Sequence, residues 1–193
     1  MEETAARIVP NILSLAGVDP SGGAGLLADI KTISALGGYA CGAVTALTVQ
    51  NTRGVSGVRI MSGDFVSAQM ESVLSDIRID AVKIGMLGNC EVIEAAAGIL
   101  RDHPVKHVVL DTILASTSGT PLLEPEAVGV LIRKLLPLCT VFTPNLPEAA
   151  ILLGDETPAD EGGMENTARR LWNLAGCGPT VYLKGGHLSG DRM

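Results

Sequence analysis

The sequence predicts an α/β fold, a three-layer α/β/α sandwich around a mostly parallel central sheet. Three observations lead there. Short apolar or β-branched runs alternate with stretches of helical spacing, the pattern of repeated βαβ units. Those runs are nearly continuous apolar rather than alternating, as expected of parallel strands covered on both faces. At 193 residues, 47% hydrophobic and 18% charged, the chain is long enough to bury roughly 70% of its unfolded surface in a single domain. Aromatic residues make up only 3% of the chain against 23 glycines, so the core is built from Ala, Val, Ile, Leu and Met.

Taken in order, the strand candidates are Ile12 to Ala16, Cys41 to Val49, Ala81 to Ile84, His107 to Leu110, Thr140 to Thr143 and Thr180 to Leu183. Between them, Asp64 to Ile77 carries Val66, Met70, Val73, Leu74 and Ile77 in one helical stripe. Asn89 caps a helix whose buried face is Ile93, Ala96, Ala97 and Leu100, and Pro125 occupies the first turn of Glu124 to Leu136. Leu171, Trp172 and Ala175 line a further helix that ends at Gly176.

The net charge of −7 argues against a general nucleic-acid or anionic-membrane surface. No run reaches 18 uninterrupted apolar residues, and the opening MEETAARIVP lacks the basic-then-apolar pattern of a signal peptide. Cys41, Cys90, Cys139 and Cys177 show no CxxC spacing and read as packing residues in a reducing cytoplasm. His103 and His107 have no sequence neighbour that suggests a metal site.

In an open parallel sheet, ligands sit beyond the carboxyl ends of the strands, and glycine-rich or polar tips recur there. Gly17 to Gly25 enters a helix, and its N–H groups suit an anion or a polar ring, or simply a tight turn. It lacks the Lys-Ser/Thr of a Walker A loop, and Gly23 to Ala28 has neither the strand spacing nor the acidic partner of a dinucleotide fingerprint. Asn145 and Glu148, between Pro144 and Pro147, suit a hydrated Mg²⁺ beside phosphate or an ordinary helix N-terminus. Asp111 is a second carboxylate or a cap at the same edge. Lys184 before Gly185 and Gly186 is a phosphate-binding cation or a solvated lysine, and His187 is a phosphate donor or a structural turn residue. Gln50 can read an amide-like heterocycle edge, and Met86 can wall its face.

Taken together, Ala16-Gly-Val-Asp-Pro-Ser-Gly-Gly-Ala-Gly25, Thr45-Ala-Leu-Thr-Val-Gln-Asn-Thr52, Lys83-Ile-Gly-Met-Leu87, Thr143-Pro-Asn-Leu-Pro-Glu148 and Lys184-Gly-Gly-His187 closely resemble the hydroxymethylpyrimidine/phosphomethylpyrimidine kinases of thiamine biosynthesis, within the ribokinase-like superfamily. The likeness runs from about Ile12 to His187. It implies ATP-dependent phosphorylation, with Mg²⁺, of the small molecule 4-amino-5-hydroxymethyl-2-methylpyrimidine and of its monophosphate. On the matching positions it implies a pyrimidine pocket of Gly17, Ala24, Gln50, Met86 and Ile113, with Asp19 shaping the loop beside it. Asn145 and Glu148 match the Asn-x-x-Glu motif that organises Mg²⁺ and phosphate, Asp111 is a further carboxylate on that side, and Lys184 contacts the ATP phosphates.

Two departures stand out. Ser116-Thr-Ser-Gly119 places Thr117 where the family carries a lysine, and the family's Gly-Thr-Gly-Cys segment, which supplies the anion hole and the activating base, is absent from the 193 residues. The resemblance therefore implies one ribokinase-like domain lacking its C-terminal part, with no catalytic residue retained and apolar surface that favours homo-oligomers. It leaves two rival readings, a non-catalytic pyrimidine-binding module and a pyridoxal-type kinase of the same superfamily.

Overall fold

A computed structural model of the chain describes residues 9–115, 121–158 and 160–185. The expectations at Thr117, Gly186 and His187 lie outside the described residues. The elements in chain order are β1 (Asn11–Val18), α1 (Gly25–Ala35), β2 (Tyr39–Asn51), β3 (Gly54–Ile60), α2 (Gly63–Leu74), β4 (Ala81–Ile84), α3 (Cys90–Asp102), β5 (His107–Leu110), α4 (Pro125–Val130), β6 (Val141–Phe142), α5 (Leu146–Leu153), α6 (Glu161–Leu174) and β7 (Thr180–Val181). The strands form one sheet in the order β3-β2-β1-β4-β5-β6-β7, parallel throughout except for the antiparallel β2–β3 pair.

The expected α/β architecture is present, and β4 and β5 have the bounds read from sequence. The edge hairpin is an addition. β3 escaped the sequence reading because Val55, Val58 and Ile60 do not alternate, and a register shift at Val49/Gln50 breaks the period-two pattern of the pair. At the other edge β6 and β7 are only two residues long, but pairing continues past them. Tyr182 N donates to Phe142 O at 2.9 Å and Lys184 N to Pro144 O at 2.8 Å, so the chain runs beside β6 as far as Lys184.

Burial on both faces holds for β1 and fails for β4 to β6. Val82, Ile84, Val108, Leu110 and Phe142 are buried in one core with Val66 and Met70 of α2, Ile93 and Ala96 of α3, and Leu171 of α6. The alternate residues Lys83, Val109 and Val141 are only half-buried. Among the described residues α1 covers that second face, over β1 and β2. It is tied there by Asp29, whose Oδ2 accepts from Ser14 Oγ at 2.6 Å and from Lys83 Nζ at 2.8 Å.

The helix that starts at Pro125 is α-helical only to Val130. It continues as a π turn over Leu131–Leu135 and a 3₁₀ turn over Leu136–Leu138. Pro137 explains the change, because it has no N–H to extend the ladder and crowds the preceding turn. In α6, Leu171 and Ala175 are buried as expected, but Trp172 is 43% exposed and is no core residue. Gly176 follows that helix at φ +76°, the left-handed stop that glycine adopts without strain. The cysteines divide likewise. Cys41 and Cys139 are buried, and burial pushes the Cys139 thiol up to about 12, while Cys177 is exposed and does not pack.

Candidate functional site

Six loops leave the carboxyl edge of the sheet and converge on one cleft of about 530 Å³. Its lining includes Gly17, Asp19, Ala24, Gln50, Met86, Ile113, Asp111, Asn145, Glu148 and Lys184, so these ten site residues singled out in the sequence meet the same space. The sheet order spreads them along the edge. Gln50 leaves β2, Gly17 leaves β1, Met86 follows β4, Asp111 follows β5, Asn145 follows β6 and Lys184 follows β7. At roughly 4.8 Å per strand, the Gln50 end and the Lys184 end lie well apart.

The Gln50 end is shaped by Asp19. Its Oδ1 accepts from Ser21 N and Ser21 Oγ, both at 2.8 Å, and its Oδ2 accepts from Gly23 N at 3.1 Å and Ala24 N at 3.0 Å. The loop N–H groups at Ser21, Gly23 and Ala24 therefore point inward at a carboxylate. An anion cradle built from them, one of the options open in the sequence, is ruled out by that geometry, and the loop serves to set shape. Burial alone would raise the Asp19 carboxyl, but the hydrogen bonds from Ser21, Ala24 and Gly23 outweigh it and hold the group below its ordinary value of 3.8. The floor is close-packed, since a Cβ on Gly17 would sit 3.2 Å from Met86 Sδ. Met86 is held in turn by Thr45, whose buried hydroxyl donates to Met86 O at 2.5 Å.

The Lys184 end is polar and interlocked. Asn145 Oδ1 accepts from Glu148 N at 2.8 Å, and Glu148 Oε2 accepts from Asn145 N at 2.7 Å, a reciprocal capping box at the start of α5. Thr112 Oγ1 donates to the same Glu148 oxygen at 3.1 Å. The helix N-terminus reading of Asn145 and Glu148 is the one observed, and both capping residues line the cleft. Asp111 Oδ1 accepts from Lys184 Nζ at 3.0 Å and from Thr143 Oγ1 at 3.1 Å. Among the described residues, Asp111 Oδ2 and Glu148 Oε1 accept no hydrogen bond and no buried side-chain polar atom lacks a partner.

Burial raises the Glu148 carboxyl above its ordinary value of 4.5. The Asn145 N–H, the Lys184 charge and the Thr112 hydroxyl oppose this, and the Asp111 charge adds to it. Between 4.5 and the raised value the native state keeps a proton that the unfolded chain has released, so this group's contribution to stability falls as pH rises across that window. Asp19 acts the opposite way, its contribution being lost as pH falls below 3.8. We expect Glu148→Gln, which keeps the acceptor for Asn145 N, to flatten the pH dependence of the melting temperature above pH 4.5. An unchanged slope in thermal melts from pH 4 to 8 places the titration elsewhere.

These residues fit a magnesium ion. Mg²⁺ is usually held by one or two carboxylates together with substrate phosphates and water, and the Asp111 and Glu148 oxygens facing the cleft are such a pair. Among the described residues there is no cluster of three or more His, Cys, Asp or Glu side chains able to form an all-protein cage. The sequence reading missed Thr48, Val55, Leu122 and Ile151, which also line the cleft. Val55 comes with the unread hairpin, and isolated apolar residues such as Ile151 carry no motif that could have marked them.

Known proteins match the chain over most of its length. A family model described as phosphomethylpyrimidine kinase matches residues 19–193. The chain is 50% identical over 182 residues to the hydroxymethylpyrimidine/phosphomethylpyrimidine kinase of Escherichia coli, covering 94% of this chain and 68% of that protein. For the Salmonella typhimurium enzyme of the same name the figures are 51% over 178 residues, 92% and 66%. The chain thus spans about two thirds of the length of these relatives. A crystal structure of phosphomethylpyrimidine kinase from Clostridium difficile superposes with a TM-score of 0.85 at 40% identity, covering 94% of this chain and 78% of that one. An ADP complex of Bacillus subtilis pyridoxal kinase gives 0.82 at 31% identity, covering 95% and 68%.

Proposed function

We propose that this chain, which belongs to the phosphomethylpyrimidine kinase family, binds 4-amino-5-hydroxymethyl-2-methylpyrimidine and its monophosphate for phosphorylation by ATP. One observation carries the reading. Ten residues scattered from Gly17 to Lys184, matched to the family by resemblance, line a single cleft, with Gly17, Gln50 and Met86 toward one end and the charged Asp111, Glu148 and Lys184 toward the other. Relatives and solved structures named for pyrimidine kinases share 40 to 51% identity with the chain against 31% for the pyridoxal kinase, which favours the pyrimidine.

In this reading Gly17 and Ala24 let the ring approach the backbone, Met86 and Ile113 pack its faces, and Gln50 takes its polar edge. Asp19 holds the loop that closes the pocket. Lys184 has two further N–H donors for phosphate oxygens beyond the one directed at Asp111. Asp111 and Glu148 would hold Mg²⁺, with Asn145 fixing the Glu148 carboxylate through the capping box. The ion, when bound, neutralises charge on the phosphates. Phosphoryl transfer is driven mostly by positioning and charge neutralisation, and these are the contributions the residues named here can make. No base or anion hole is assigned to any of the 193 residues. A cytoplasmic location, supported by four free cysteines, and self-association, supported by exposed Leu36, Val49 and Tyr182, belong to the same proposal.

The test is calorimetry with the pyrimidine alcohol alongside a phosphorylation assay with ATP and Mg²⁺. Wild type is expected to bind the ring, and Gln50→Ala to weaken it roughly tenfold to a hundredfold through the lost hydrogen bonds. Binding without turnover supports the non-catalytic module. An affinity unchanged in Gln50→Ala rejects the assigned ring pocket.

A further inference from the structure

The Thr48 hydroxyl has no place in the reading above, yet it stands between two carbonyl groups with one proton to give. Its Oγ1 lies 2.9 Å from Val18 O and 3.2 Å from Gln50 Oε1. A threonine hydroxyl donates once and accepts through its lone pairs. Val18 O, a main-chain carbonyl at the end of β1, is the nearer and better placed acceptor. With the proton directed there, Thr48 Oγ1 and Gln50 Oε1 are two acceptors facing each other without a hydrogen between them.

A half-turn of the Gln50 amide about its broad, two-fold terminal torsion removes the conflict. It brings Nε2 to the Thr48 side, where it donates to Oγ1, so that the hydroxyl both donates and accepts. Gln50 lines the cleft, and the position opposite Thr48 is then held by the Gln50 carbonyl oxygen. Thr48 and Gln50 are two apart on β2, beside the register shift at Val49/Gln50, so the contact is built into the strand and needs no ligand.

We infer that Thr48 is a positioning residue that sets the polarity of the Gln50 amide, turning its carbonyl oxygen to the ligand, so that the site selects a ring edge carrying an N–H donor. The choice of ring rests on the pyrimidine reading above; the polarity of the amide does not. An aminopyrimidine satisfies that oxygen, whereas an oxo analogue sets two acceptors against each other, and a polar site rejects such a mismatch far more strongly than an apolar pocket does.

Two measurements test it on wild type, Thr48→Val and Thr48→Ser. In the ligand-free protein, nuclear magnetic resonance of the Gln50 side-chain amide is expected to show one Nε2 proton shifted and slowed in exchange in wild type and Thr48→Ser, and released in Thr48→Val. By calorimetry, the preference for an aminopyrimidine alcohol over its oxo counterpart is expected to fall roughly tenfold in Thr48→Val and to be kept in Thr48→Ser. Identical Gln50 amide signals in all three proteins, or an equal ring preference in Thr48→Val and Thr48→Ser, overturn the role of Thr48. If neither ring binds wild type while the amide signals change as expected, the pyrimidine reading falls and the amide polarity set by Thr48 stands.

Discussion

Gly25→Ala is expected to abolish ring binding and to lower stability by about 3 kcal/mol, combining a left-handed backbone penalty with a steric clash. Gly25 opens α1 at φ +56°, and a Cβ there would run into the Gly17 carbonyl oxygen and lie 3.2 Å from its carbon. Neither obstacle can swing aside, because both are backbone. Gly17 is itself backed by Met86 and Ala46, so relief must come from moving the cleft floor or the whole Asp19 loop, which a Val18–Gly25 bridge joins to β1. Gly154→Ala is the control. It has φ +62° with nothing within 4 Å of the added carbon, and only the backbone penalty of roughly 1 kcal/mol applies. Chemical denaturation together with ring titration of both variants decides the matter. Equal losses for the two would mean that the contact with Gly17 contributes nothing.

Lys184→Ala is expected to weaken nucleotide binding or turnover by at least roughly a hundredfold, the scale of a lost charged donor at a phosphate site, while leaving pyrimidine affinity unchanged. The selectivity follows from the sheet, because Gln50 leaves β2 and Lys184 follows β7, five strand positions away. The fold should hardly notice, since the Lys184–Asp111 pair is 39% and 33% exposed and such pairs contribute little to stability. The Glu148 carboxyl should respond more. Without the lysine, Glu148 loses a charge that lowers its pKa and keeps the Asp111 charge that raises it, so its proton is held to higher pH. Calorimetric titration of ATP with Mg²⁺ and of the pyrimidine alcohol tests both halves. Intact nucleotide affinity, or a parallel loss at the ring, removes Lys184 from the phosphate end.

The elements easiest to read were those whose burial is local and periodic. The stripe of α3 and its Asn89 cap could be read directly, and Asn89 Oδ1 accepts from Val92 N at 3.0 Å. The four-residue strands β4 and β5 also matched, β4 lying between Asp80 and Gly85 and β5 between Lys106 and Asp111. The β3 hairpin did not, because two glycines and a register shift scramble its alternation. The change of helix type after Val130 turns on Pro137, seven residues further along, and Trp172 has the helical spacing of a core aromatic while no neighbour among the described residues covers it.

The sequence by itself determined the βαβ alternation apart from the β3 hairpin, the family, and which residues could carry the chemistry, since residue type and spacing are local properties. Only the tertiary structure decided what those residues are free to do. It showed the glycine-rich loop turning its N–H groups onto Asp19, which removes them as an anion cradle. It joined Glu148 to Thr112, 36 residues away, and Lys184 to Asp111, 73 residues away. It also set a single Thr48 proton between Val18 and Gln50. Hydrogen bonds compete for the same donors, and which acceptor wins depends on distances that exist only once the six loops meet at one edge of the sheet.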